Sequence, residues 1–306
     1  MNETPSTPRL VLGFATLYLI WGSTYLAIRF AVESLPPFGM SSARFLVAGV
    51  AIYAWLRARG APRPTRSQWR TAAIVGTMLL AGANGLVTWA EQWVPSGLAA
   101  LIVASMPLWM GLLVWIFEPG VRPGARGVAG ILLGFAGVAV LVNPGGDLGA
   151  DPAMLPGTIA LLAAPVLWAA GSLYSRRGDA PRNPFLATSM QMIAGGTVLA
   201  VFHLVTGEWR TFDPAAVTGR SVLAFAYLIV FGSMIAFSAF VWLLRVAPPS
   251  RVSTYAYVNP VVALLLGWFL AGETLAFQSI VASAIIVLSV FLMTTDRPRR
   301  VPVPAE

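Results

Sequence analysis

The chain has 306 residues, 57% hydrophobic and 10% charged, and a mean hydropathy of +0.75. A soluble domain carries roughly 45–50% apolar and about 25% charged residues, so the composition excludes one and points to a protein embedded in lipid. The net charge of +8 is spread in short tracts between apolar runs, which suits membrane topology and not a nucleic-acid partner.

Ten apolar stretches approach the length needed to cross a bilayer, about 20 residues for a core roughly 30 Å thick. In the first half they run from Leu10 to Val32, Phe38 to Leu56, Thr71 to Ala90, Ser96 to Phe117 and Gly127 to Val142. In the second they run from Gly157 to Ser175, Phe185 to Val205, Ser221 to Leu244, Val252 to Ala271 and Phe277 to Met293. The connections are short and rich in turn residues, as in LPP, VPSG, NPGGD and DAPRNP. The first run is too long for a signal-peptide core and is read as a retained helix. With the N-terminus in the cytoplasm, sixteen of the twenty basic residues, all arginine, lie inside and only Arg210 and Arg220 lie outside. That bias predicts cytoplasmic N- and C-termini.

The two halves repeat one another. An offset of 147 pairs Trp21 with Trp168, Pro37 with Pro184, Phe38 with Phe185, Ser42 with Ser189 and Gly49 with Gly196. An offset of 153 pairs Trp89 with Trp242, Pro95 with Pro248, Pro107 with Pro260 and Trp115 with Trp268. Five helices per copy is an odd number, so the second copy enters from the opposite side. The expected fold is an all-α membrane protein of ten transmembrane helices in two inverted repeats, residues 1–150 and 151–306, with a site at the midplane between them.

The stretches WGSTYLAIRFAVESLPPFGMSSARFLVAG and YVNPVVALLLGWFLAGETL resemble the drug/metabolite transporter superfamily in its ten-helix EamA-like branch. The resemblance covers nearly the whole chain and implies a carrier in a bacterial inner membrane. The aromatic-rich helices look most like amino-acid exporters of the YddG type, which implies export of neutral or aromatic amino acids. Other small metabolites, drugs or sugars are the alternative cargo.

Mid-helix aromatic and polar residues are the expected substrate contacts: Trp21, Tyr25, Asn84, Thr88, Trp109, Trp168, Ser172, Tyr257 and Asn259, with Ser233 beside them. Pro107 and Pro260 are expected to break their helices about halfway, exposing carbonyls that only protein or a wet cavity can satisfy, and so to serve as hinges. Arg44 lies about 10 Å below its helix end at roughly 1.5 Å per residue, too deep to be left facing lipid. It either binds a substrate carboxylate or fastens helix-end carbonyls; the RF pairing common in the resembling family favours the structural role. Gly130 and Gly134 form a GxxxG answered by Ser279 and Ser283, a packing face that leaves a monomer or a homodimer open.

The missing residue types limit the chemistry. Without lysine there is no Walker A loop, and with no cysteine and only His203 there is no thiol nucleophile or HExxH metal site. No catalytic residue, cofactor or metal is expected, and neither an intramembrane enzyme nor a channel fits well; a small-molecule substrate and membrane lipid are the expected partners. Glu33, Glu91, Glu118 and Glu273 fall at helix ends or in loops. Facilitated diffusion or exchange is therefore expected, not strict proton symport.

Overall fold

The computed structural model describes residues 6–118, 121–142, 152–247, 252, 254–274, 277–296 and 299–300. The first half contains α1 (Thr7–Ala31), α2 (Pro37–Ala58), α3 (Arg66–Gly76), α4 (Gly85–Ala90), α5 (Ser96–Val103), α6 (Met106–Phe117) and α7 (Ala125–Val142). The second contains α8 (Leu155–Ser175), α9 (Pro184–Thr206), α10 (Glu208–Thr211), α11 (Gly219–Tyr227), α12 (Ala236–Val246), α13 (Tyr255–Ala271) and α14 (Phe277–Thr295). Among the described residues seven helical rods are long and apolar enough to cross a membrane, and three shorter apolar helices, Ala125–Leu141, Val258–Ala271 and Phe277–Met293, fall where further stretches were expected. Among the described residues the one strand pairing is the two-residue bridge of Val121–Arg122 with Arg299–Arg300.

Local chemistry sets the ends of these helices. Proline occupies the first turn of α2 and α9, where its missing N–H costs nothing. Thr65 and Gln68 form a reciprocal capping box at α3. Gly207 and Gly272 stop α9 and α13 at φ of +75° and +66°, a left-handed turn that a residue with a Cβ resists.

The run Ser96 to Phe117 is two helices, broken at Ala104 and Ser105 just ahead of Pro107, where an interruption was expected. Another feature was not expected. The rods α3–α4 and α11–α12 each carry a π-helical segment at their centre, Thr77–Asn84 and Leu228–Ile235. The two segments have equal length and matching places in the two halves.

Contacts between the connecting segments define two ends of the bundle. At one, Phe38 N–H donates to Glu208, Thr218 N–H to Ser34, and Ser96 N–H to Glu273. At the other, Arg176 meets Glu118, and Gly124 N–H donates to Asp296. α1 runs toward the first end and α8 toward the second, so the halves have opposite senses. The contact between α2 and α9 is reciprocal. A Cβ on Gly49 would lie 3.0 Å from the backbone nitrogen of Ile193, and one on Gly196 would lie 3.1 Å from that of Leu46. The 147-residue offset exchanges these two pairs, as a two-fold axis through the contact requires.

The GxxxG glycines pack within the chain. Gly130 lies against Ser289 and Met293 of α14, and Gly134 against Leu108 and Ser289; Ser279 and Ser283 are not their neighbours there. Small residues let the α7 and α14 backbones approach closely.

Candidate functional site

Between the halves lies a cavity of about 140 Å³, far more than the roughly 10–15 Å³ that one water molecule needs. Of the expected contacts, Trp21, Tyr25, Asn84, Trp168, Ser233 and Asn259 line it, as do Arg44, Pro107 and Pro260. Both halves therefore contribute walls.

Each wall residue is held by its own element. On α1, the Trp21 indole N–H donates to Gly232 carbonyl at 3.3 Å, and its ring meets Phe240 and Tyr255 at 5.1 Å and Phe237 at 5.8 Å. The edge-on contacts with Phe237 and Tyr255 and the tilted one with Phe240 fix the ring face that the cavity sees. Asn259 of α13, with its amide nitrogen turned toward carbonyl groups, donates to Tyr255 at 3.2 Å and Tyr18 at 3.3 Å, tying α13 to α1. Asn84 closes the first π segment, and its carboxamide oxygen is buried with no hydrogen-bond partner among the described residues.

Arg44 is 4% exposed. Its Nε donates to Ser233 Oγ at 2.7 Å, in the second π segment, and its guanidinium lies 4.9 Å from the Phe45 ring centroid. Nη1 is buried and has no partner among the described residues. One edge of the fork fastens α2 to the opposite half through a serine hydroxyl, and another nitrogen makes no hydrogen bond to the described residues. A buried donor on a cation left without an acceptor costs more than an ordinary unmade bond, so a negative or carbonyl oxygen is the group this position lacks.

Three expected contacts do not line the cavity. Thr88 is fully buried; its hydroxyl donates to the Asn84 carbonyl at 3.0 Å and accepts from Ser41 at 3.1 Å, which occupies it with its own packing. Trp109 stacks edge-on against Phe135 of α7 at 4.9 Å. Ser172 sits about one turn beyond Trp168 on α8, and its carbonyl accepts from Ser175 at 2.8 Å. Tyr257 lies outside the residues whose side chains are described, as do Arg122, Arg245, Arg251, Arg297, Arg299 and Arg300, which enter the charge count. Conversely, Thr24, Phe237 and Tyr255 line the cavity without having been singled out. Tyr255 could have been found, since it stands four residues before Asn259 on one helix face.

Pro107 and Pro260 act differently. Pro107 cannot donate to Val103, and the chain there tightens to a turn in which Leu108 N–H reaches Ser105 at 2.9 Å. Pro260 sits inside α13, which runs on unbroken from Tyr255 to Ala271. Val103 and Ala256, whose carbonyls lose their helical donors to these prolines, both line the cavity.

A lipid-spanning bundle of two opposed halves around a central cavity defines a membrane transporter. The EamA-like transporter family matches the chain twice, over residues 9–143 and 155–295, and the chain belongs to that family. It is 42% identical over 282 residues to "Uncharacterized inner membrane transporter YedA" of Escherichia coli (strain K12), covering 92% of this chain and 89% of that protein. It is 25% identical over 296 residues to "Uncharacterized transporter YvbV" of Bacillus subtilis (strain 168), covering 96% and 94%. A solved structure called "Crystal structure of protein" shares the fold, with a TM-score of 0.63 at 24% identity over 94% of this chain and 98% of that one.

Proposed function

We propose that the chain is an inner-membrane carrier with cytoplasmic termini that exports small amphipathic metabolites, neutral and aromatic amino acids foremost, by alternating access between repeats 1–150 and 151–306. One observation carries this reading: a guanidinium nitrogen of Arg44 and the carboxamide oxygen of Asn84 have no hydrogen-bond partner among the described residues and are buried at the wall of a cavity that Trp21, Trp168 and Tyr255 also line. A zwitterion satisfies both at once, its carboxylate on the donor and its ammonium on the acceptor, while an apolar side chain meets the rings. The inner-membrane name of the YedA relative and the arginine bias support the placement and orientation.

Counterflow in proteoliposomes tests this. Saturable exchange of neutral amino acids is expected, with amino-acid amides, which lack the carboxylate, competing poorly. Arg44→Gln is expected to weaken amino-acid affinity about 10- to 100-fold, the worth of a charge-assisted hydrogen bond of about 1.5–3 kcal/mol. Equal competition by acids and amides would overturn the carboxylate reading; exchange of sugars in place of amino acids would overturn the substrate class.

A further inference from the structure

Glu91 ends α4, one of the carboxylates expected at helix ends or in loops, and it is wholly enclosed in the protein. Neither carboxylate oxygen has a hydrogen-bond partner among the described residues. The seam around it is tight. Arg29 of α1 donates to the Glu91 backbone carbonyl. On the α8 side, a Cβ on Gly157 would lie 3.0 Å from Val94 and 3.2 Å from the Ala90 carbonyl.

A second carboxylate shares this seam. Glu273, turned back at the end of α13 by Gly272, accepts from Ser96 N–H at 2.7 Å, Ser96 Oγ at 2.8 Å and Gly97 N–H at 3.0 Å. These donors sit at the start of α5, where a negative charge is favoured, so Glu273 has hydrogen-bond partners that Glu91 lacks. Glu91 is fully enclosed while Glu273 is half-buried, and of two neighbouring carboxylates the enclosed one with no donors is the one whose charged form is disfavoured most. The other groups facing Glu91 are Arg29 and Tyr25 from α1 and Arg44 from α2; among the described residues α8, α5 and the segment Thr77–Asn84 bring no titratable side chain to this end. Burial, and after it the charge on Glu273, push the Glu91 carboxyl well above the usual carboxylate range, against the opposing pull of Arg29 and Arg44.

We propose that Glu91 is a proton-binding site at this end of the bundle, filled when the seam between α1, α4, α5 and the Glu273 turn is closed and emptied when the seam opens to water. The proton governs access at that end, and the mechanism demands no fixed proton stoichiometry. The sign follows from linkage. The closed form, holding the raised carboxyl, is most favoured below the ordinary carboxylate value. It loses ground as pH rises from there toward the raised value, by up to tenfold per pH unit for one proton. This rests on alternating access and is independent of the choice of substrate.

Because the native chain has no cysteine, a single introduced thiol reports the seam. Val94→Cys replaces a fully buried side chain with a smaller one. In the full-length protein in detergent, without substrate, its maleimide labelling rate is corrected by that of Ala215→Cys, an exposed position in a turn outside the membrane-spanning helices. The corrected rate is expected to rise several-fold per pH unit above the ordinary carboxylate range. Adding Glu91→Gln should make it slow and flat with pH, because a neutral carboxamide stands in for the protonated acid; Glu91→Asp should keep a slope. A flat profile in the Val94→Cys protein, or an unchanged slope with Glu91→Gln, would overturn the proposal. Loss of folding on Glu91→Gln would overturn it equally, since a neutral group is what the site is said to hold. Failure of amino-acid transport would leave these profiles untouched.

Discussion

The halves agree where they pack and differ where they bend. At the α2–α9 contact, Gly49 and Gly196 make interchangeable approaches to the opposite helix. At the paired prolines the likeness ends, because Pro107 stands in the first turn of α6 just after a break, whereas Pro260 stands inside α13, which runs unbroken around it. The same residue follows an interruption in one half and rides within a continuous helix in the other. The scaffold is shared and the bends are unequal, while both halves supply the walls.

The strongest test of the shared scaffold is substitution at its axis. Gly49→Leu and Gly196→Leu should each cost about 3 kcal/mol or more, the upper range for overpacking, because backbone lies directly opposite. Folded yield on size exclusion should fall alike for both; a marked inequality would break the symmetry of the contact. Next are the carboxylates that second-half turns place on first-half helices. Glu273→Ala should lower the melting temperature by the equivalent of about 2–3 kcal/mol, as several charge-assisted bonds are lost together. Glu208→Ala, which frees Phe38 and Gly39 at α2 and His203, should cost less, because His203 and Glu208 retain 21% and 14% side-chain exposure and water can replace part of the loss. The smallest effect sharpens the contrast of the prolines. Pro107→Ala should slow exchange about tenfold, roughly 1.4 kcal/mol in the barrier, while Pro260→Ala should leave the rate within about twofold. Equal slowing would mean that both prolines serve as hinges.

Much of this architecture was legible in sequence because lipid imposes it. Apolar length located the helices, and coincident Trp21 and Trp168, Pro107 and Pro260, exposed the duplication before any geometry. Side-chain direction was harder to read. Trp21 and Trp109 look alike as mid-helix tryptophans, yet one faces the cavity and the other Phe135, since facing depends on which neighbour a helix meets. Arg44 was located by the cost of burying it, but its division between Ser233 and an unspent nitrogen needed the fold. Glu91 was legible as a helix end, but its enclosure by α1 and α8 needed the fold. The π segments left no sequence signal that composition or periodicity could detect.

Those segments carry a consequence for motion. A π turn holds an extra residue relative to an α turn, and each residue advances an α-helix by about 100°. Were the bulge in Thr77–Asn84 to relax to α spacing, everything after it on that rod would swivel by about that angle, carrying Asn84 off the cavity wall. The twin bulge would do the same to Ser233, releasing its grip on Arg44. Each half thus stores a twist that could be let out without sliding the rods past one another.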